Sequence, residues 1–231
     1  MEHTSIDSDV ELYKFHSGAP TNETYANAAQ ELIMSANELL NCAGADGLEL
    51  ETISRKSAVS PEDTQQLIPA YTNALLDQAR KNSKIVALDA DLILDTGLIS
   101  FQQEFPERFL ECGIAEQDMV SQAGGIALQG LLPVVHSFAC FLSTRPNEQI
   151  YNNATQGKKI IYVGSLAGVL PGGPGHSHQS VRDIACMLAM PNMTILEPVN
   201  AKQVELALNW AVSDSQESVY MRLTSIPYEQ T

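Results

Sequence analysis

Three short stretches of the chain gather side chains whose types could do chemistry. The first is Glu111-Cys112-Gly113-Ile114-Ala115-Glu116-Gln117, where a strand-like run ends, a glycine turns the chain, and Glu116 opens a helical pattern. An acid in a first helical turn can simply favour the helix dipole. Its neighbours offer a second use: Ile114 and Ala115 precede it, Met119 and Val120 follow, and the small run Ala123-Gly124-Gly125-Ile126-Ala127 comes next. Apolar surroundings disfavour a charged carboxylate, so Glu116 could share a proton with a ligand nitrogen.

The second stretch is His136-Ser137-Phe138-Ala139-Cys140-Phe141. One helical turn would set Phe138 and Phe141 on the same side, either as plain core or as an aromatic shelf for a flat heterocycle. The third runs from Leu166 to Gln179 and carries Gly168, Gly172, Gly173 and Gly175 before His176 and His178. Glycines permit close backbone approach, which suits a ligand-covering loop; an exposed turn with incidental histidines is the alternative. The loop has neither a GxGxxG pattern nor a P-loop lysine, so it does not point to nucleotide phosphates. Two histidines without a third ligand make a poor metal site, and no metal is assigned to this chain.

These loops need a scaffold. Apolar residues at helical spacing from Thr21 to Leu40, stopped by Gly44-Ala45-Asp46-Gly47, predict one helix in an N-terminal extension of residues 1–59. Ser60-Pro61-Glu62-Asp63 then reads as a second helix start, with the helix running to about Lys81. Beyond it, strands are expected at Lys84 to Leu88, Arg108 to Cys112, Pro133 to Ser137, Lys159 to Val163, Met193 to Leu196 and Val219 to Leu223. Helical spacing marks Glu116 to Leu128, Pro146 to Thr155, Gln179 to Met190 and Ala201 to Val212. Such alternation predicts an α/β domain over residues 60–225, a mostly parallel six-stranded sheet with helices on both faces, followed by a tail at 226–231. Ligands of such sheets bind in loops past the strands' carboxyl ends, where all three stretches fall.

Composition narrows the partners. With 231 residues, 44% of them hydrophobic, the chain can bury a real core, while 28 acidic against 13 basic side chains leave a formal charge of -15. Such a surface repels phosphate backbones and anionic lipids, so neither nucleic acid nor membrane is expected as a partner. Every apolar run stops well short of the about 20 residues of a membrane span. Met1-Glu2-His3-Thr4-Ser5-Ile6-Asp7 lacks the positive start and apolar run of a secretory signal, which makes a cytoplasmic location the expectation. Cys42, Cys112, Cys140 and Cys186 are widely spaced and read as buried thiols. Arg145 and Arg182 read as solvent-facing ion-pair partners, with an anionic substrate as the other use.

Taken in order, the three loops resemble the pyrimidine-binding domain of the transketolase family of thiamine diphosphate enzymes. The resemblance rests on Gly113-Ile114-Ala115-Glu116-Gln117, Ser137-Phe138-Ala139-Cys140-Phe141, Gly175-His176-Ser177-His178-Gln179, and Met190-Pro191-Asn192-Met193 leading to Glu197-Pro198. Lys14 to Pro20 is similar to the connector that follows the diphosphate-binding domain in longer relatives. In the family, the glutamate matching Glu116 bonds a ring nitrogen of the cofactor's aminopyrimidine and favours the imino form that deprotonates the thiazolium carbon. By the same matching, Phe138 and Phe141 are implied to pack against that ring, and Asp91 with Leu92 to lie near the thiazolium. His178 is implied to face the reacting group of the substrate, with His176 and Gln179 beside it. Glu116 and His178 are thus the implied catalytic residues.

Departures also matter. Leu166 and Pro174 stand where transketolases carry a histidine and an acid, and Thr144 replaces a common tyrosine. The Gly-Asp-Gly motif that holds the diphosphate's cation is absent from the sequence, which implies that Mg2+ is held by a separate chain carrying the diphosphate-binding domain. The expectation is therefore half of a ketol transferase acting on sugars or sugar phosphates, inactive alone and working as a dimer or heterotetramer with that partner. A deoxyxylulose phosphate synthase-like or 2-oxo acid dehydrogenase beta-like component is the alternative, as is a noncatalytic partner-binding domain.

Overall fold

The computed structural model describes residues 20–51 and 64–228. The chain divides into two compact units, Met1–Val59 and Ser60–Thr231. In the first, α1 spans Asn22–Cys42; Thr21 caps it by accepting the Thr24 N–H at 3.1 Å. Gly44, at φ +71°, takes the left-handed turn that ends the helix. The Asn37 amide then holds the returning chain at Leu48, accepting its N–H at 2.6 Å and donating to its carbonyl at 3.0 Å.

The second unit is a six-stranded sheet, every neighbouring pair parallel. Its strands are β1 (Ile85–Asp89), β2 (Phe109–Glu111), β3 (Leu132–Phe138), β4 (Ile161–Ser165), β5 (Met193–Leu196) and β6 (Ser218–Arg222). Around them lie α2 (Leu67–Lys81), α3 (Ile93–Thr96), α4 (Ile99–Glu104), α5 (Glu116–Leu128), α6 (Ala139–Thr144), α7 (Asn147–Thr155), α8 (Asp183–Leu188) and α9 (Ala201–Ser213). Alternate strand residues feed two cores. Val134 joins Tyr71 and Leu75 of α2 and Leu208 of α9 on one face; Val135 joins Met119 and Val120 of α5 and Ile150 of α7 on the other. The small run in α5 is explained by close packing: a methyl added at Gly124 would lie 2.2 Å from the Asn153 oxygen on α7. Asn153 itself reaches across to donate to the Val120 carbonyl at 2.8 Å.

The order β2-β1-β3-β4-β6-β5 reverses direction between β1 and β3. Beyond the carboxyl ends of those two strands lies the crevice where an open parallel sheet binds its ligand. Asp89 and His136 stand side by side in the register of that pair.

Several boundaries differ from expectation. The helix expected from Ser60 begins at Leu67; Ser60 to Asp63 lie outside the described residues, and Gln65 exchanges backbone bonds with Tyr228 at 2.7 and 3.3 Å instead of entering a helix. Tyr228, expected in a tail, is thereby paired to the domain's first turn. The helix expected over Gln179 to Met190 contracts to Asp183–Leu188, because the Ser180 N–H is taken by Gly168 O at 2.7 Å and Gln179 donates to Val169 O. Of the four thiols expected to be buried, Cys140 is, whereas Cys42 is exposed and Cys112 and Cys186 are half-buried. Among the described residues no helix is long and apolar enough to cross a membrane.

A buried ion pair ties the last strand to the start of α8 and the end of β5. Arg222 donates through Nε to Asp183 at 2.8 Å and through Nη1 to Glu197, while Tyr220 donates its hydroxyl to Asp183 at 2.9 Å. Removing the acid would leave the buried guanidinium to Glu197, whose carboxylate is half in solvent. Asp183→Ala is expected to cost about 3–5 kcal/mol, and Asp183→Asn less, read as a shift of the urea midpoint. A change within about 0.5 kcal/mol for the alanine variant would mean that solvent already satisfies Arg222.

Candidate functional site

The loop after β1 is built by acids. Asp89, at the strand end, accepts the Leu92 N–H at 2.6 Å and the Thr96 hydroxyl at 2.8 Å, which fixes the turn into α3. Glu111 uses a single oxygen to accept both the Asp91 N–H at 2.9 Å and the Gly113 N–H at 2.8 Å, so the loops after β1 and β2 share one clamp. Asp91 sits at φ +59° between these anchors with its side chain exposed. The turn delivers Leu92 into a small apolar cluster with Phe138, Cys140 and Leu166, against which Phe141 packs.

Gly113, at φ +68°, swings the chain after β2 so that Glu116 becomes the first residue of α5. Its carboxyl is only 4% exposed, and the Arg145 Nη1 donates to its Oε1. The Arg145 guanidinium carbon lies 3.7 Å above the centre of the Phe141 ring. Edge-on to Phe141 stands the His178 imidazole at 5.0 Å, with Phe138 5.7 Å from Phe141 and 5.9 Å from His178. Four of the residues singled out in the sequence, Glu116, Phe138, Phe141 and His178, therefore meet in one continuous set of contacts, with Arg145 as the link.

Others fall elsewhere. His176 and Gln179 line a cavity of about 290 Å³ between α6 and the start of α8, together with Cys140, Ser143, Ser180 and Arg182. Asp91 contributes to the site through its backbone. Ile114, expected to shelter Glu116, is exposed, although Met119 and Val120 are fully buried as expected. Arg145, expected in a solvent-facing ion pair, is paired with a buried carboxylate instead. The Phe141 and Arg145 spacing of four along one short helix was the available signal for that stack. Asp89 and Glu111 were also missed, although each is an acid at a strand's carboxyl end. Among the described residues no group of three or more His, Cys, Asp or Glu could hold a metal ion.

Beneath the crevice, His136 is buried and donates Nδ1–H to the Leu88 carbonyl at 3.0 Å, a partner that can only accept. Its Nε2 is then the acceptor for the Tyr71 hydroxyl at 2.6 Å. Burial lowers its pKa to about 4 and raises that of Asp89 to about 7, the latter opposed by the bonds from Leu92 and Thr96 and reinforced by the charges of Glu111 and Asp91. The two act oppositely on stability. Folded Asp89 keeps its proton between about pH 4 and pH 7 while the unfolded chain loses it, so stability falls as pH rises through that window, by on the order of 4 kcal/mol at most. Folded His136 stays neutral between about pH 4 and 6.5 while the unfolded chain is charged, so its contribution falls as pH drops. In Asp89→Asn, Thr96 can turn its hydroxyl to Leu92 O, already 3.0 Å away, and accept from the new amide. The variant should match the natural protein near pH 4, exceed it at pH 8, and lose stability on acidification from pH 6.5. Parallel urea curves for the two proteins across pH 4 to 8 would disprove the buried proton.

The family profile described as "Transketolase, pyrimidine binding domain" matches residues 63–230. The chain is 36% identical over 158 residues to a 6-deoxy-6-sulfo-D-fructose transketolase subunit of Clostridium sp. (strain MSTE9), covering 68% of this chain and 49% of that protein. It is 34% identical over 155 residues to a 1-deoxy-D-xylulose-5-phosphate synthase of Clostridium acetobutylicum, covering 67% of this chain and 25% of that one. It thus spans about half or less of the length of these curated relatives. Among solved structures, one described as "Split gene transketolase, inactive beta4 tetramer" superposes with a TM-score of 0.61 at 34% identity, over 70% of this chain and 52% of that one. The ordered loops, the parallel sheet and these likenesses agree, and the chain belongs to the transketolase pyrimidine-binding domain family.

Proposed function

We propose that this chain is the pyrimidine-side half of a thiamine diphosphate-dependent enzyme that transfers a two-carbon ketol unit between sugars, completed by a partner chain carrying the diphosphate-binding domain. The observation that carries this reading is Glu116: a nearly buried carboxylate at a helix start, linked through Arg145 to the Phe141 ring. The donor set suits the aminopyrimidine. Glu116 offers an acceptor for a protonated ring nitrogen, Phe141 a face for a flat ring, and Leu92, Phe138 and Leu166 an apolar wall. Bound there, thiamine diphosphate would supply an acidic carbon and an electron sink for breaking the bond beside a ketose carbonyl.

The chain's own residues do the rest. Glu116 holds or gives up one proton at the ring nitrogen, in a place where water competes little for it. Phe138 and Phe141 fix the ring's plane. The Asp89 and Glu111 clamps set the height of Leu92 and of the Asp91 backbone. His178, packed edge-on against both phenylalanines, has its ring fixed for a substrate hydroxyl. The cation belongs on the partner with the diphosphate, and the solved split transketolase chain, described as an inactive β4 tetramer, supports the view that this half does not turn over alone. A heteromer in the cytoplasm is the corresponding assembly.

A second reading is favoured by the 34% identity to a deoxyxylulose phosphate synthase and by Leu166 and Pro174, which depart from the transketolase pattern. Release of CO2 from pyruvate separates the two. Reconstituted with its partner, thiamine diphosphate and magnesium, the protein is expected to transfer ketol units from a ketose without CO2 release, and Glu116→Ala to lose about a hundredfold or more of that turnover. Equal turnover by the variant would remove Glu116 from the reaction; CO2 release would move the chain to the second reading.

A further inference from the structure

Arg145 has no role in the reading above, yet it covers the two groups that the aminopyrimidine needs. Its Nη1 donates to Glu116 Oε1, and its guanidinium carbon lies over the Phe141 ring, 3.7 Å from the centre. A planar, cationic N–H donor stacked on an aromatic ring and bonded to a carboxylate presents the recognition features of a protonated aminopyrimidine. The other contacts of Phe141 are already taken: His178 stands edge-on at 5.0 Å and Phe138 at 5.7 Å. A ring that stacks on the face of Phe141 now under Arg145 and bonds Glu116 must take the space of the guanidinium.

The two partners differ in freedom. Glu116 is 4% exposed and fixed in the first turn of α5, whereas the Arg145 side chain is 38% exposed. The Arg145 backbone is held, with its N–H donating to Phe141 O at 2.9 Å and its carbonyl accepting from Gln117 at 3.2 Å. Only the long side chain has to swing, and its charge remains well solvated when it does. Without it, Glu116 would be a buried carboxylate with no counter-charge, a costly arrangement.

We propose that Arg145 is a built-in occupant of the aminopyrimidine seat: it satisfies Glu116 and covers Phe141 while the chain is free, and leaves both when the ring binds. The inference rests on the thiamine diphosphate reading and adds to it that cofactor affinity is set by competition with this side chain. Apparent affinity is reduced by the fraction of chains whose seat is open.

The test is equilibrium binding of thiamine diphosphate with magnesium to the partner-assembled complex, for the natural protein, Arg145→Met and Arg145→Lys. Methionine loses both the charge and the flat fork, and binding is expected to tighten about tenfold; lysine keeps the charge without the stack and should fall between. Proton NMR gives a second readout. The Arg145 side-chain methylene next to the guanidinium should be shifted upfield by the Phe141 ring in the free chain and return to its ordinary position at saturation. Equal or weaker binding by Arg145→Met, or an upfield shift that persists at saturation, overturns the occupant and makes Arg145 a positioning residue for Glu116. Absence of binding by all three complexes overturns the thiamine reading itself, and the occupant with it.

Discussion

A carboxylate removed from water must be met by a donor or give up its charge, and the site is arranged around that constraint at Glu116. The start of α5 provides part of the answer, because the dipole of a helix favours an acid in its first turn. Gly113 provides the turn that brings Glu116 inside, and Met119 and Val120 anchor the helix behind it. What remains is a buried oxygen that needs a flat N–H donor, and Arg145 meets it from α6's end. The seat proposed for a heterocyclic cation is thereby satisfied in the free chain.

The sheet decides where this constraint is applied. Reversal of strand order between β1 and β3 marks the crevice, and the loops after β1 and β2 beside it are joined by an acid rather than by apolar packing alone. Glu111 bonds the loops after β1 and β2 to each other, and Asp89 bonds Leu92 and Thr96 within the first. Both fix backbone positions. A loop held by hydrogen bonds to fixed acceptors keeps its geometry when a ligand enters, which is what orientation of a reacting ring demands. Burial and the charges of Glu111 and Asp91 raise the pKa of Asp89, so the loop can shed one of three neighbouring negative charges by taking up a proton there.

The strands and the long helices were legible because their signals are local. Each of the six strands lies within two residues of its expected span, and α5 begins at Glu116 as its pattern required. The failures lie where partners distant in sequence compete for a backbone group. Gln65 bonds Tyr228 rather than extending α2, and Ser180 bonds Gly168 rather than starting α8 early. The site behaved in the same way. Residue types and the ordered family motifs singled out Glu116, Phe138, Phe141 and His178, which the fold brings into contact through Arg145, whereas Arg145 itself looked like any surface arginine until the fold set it on Phe141. The roles of Asp89 and Glu111 were hidden because most of their partners are backbone amides, and nothing in a sequence marks which amides will need an acceptor.

Charge explains how two halves of one site would divide the work. The chain carries a formal charge of -15, so at a distance it repels an anionic diphosphate, and screening over about 8 Å at physiological salt weakens that repulsion without reversing it. Under the proposed function, a partner holding the diphosphate through a cation would remove that repulsion before the ring arrives. What the pyrimidine side then offers is short-ranged: one carboxylate, two aromatic rings and an apolar wall, all of which act only at contact. Short-ranged complementarity on this chain, with long-ranged attraction on the proposed partner, would favour an order of events in which the charged end of the cofactor is held first and the ring second. In that order the guanidinium over Phe141 is displaced by a ring already held at high local concentration, so the pairing that stabilises the free chain need not prevent loading of the assembled one.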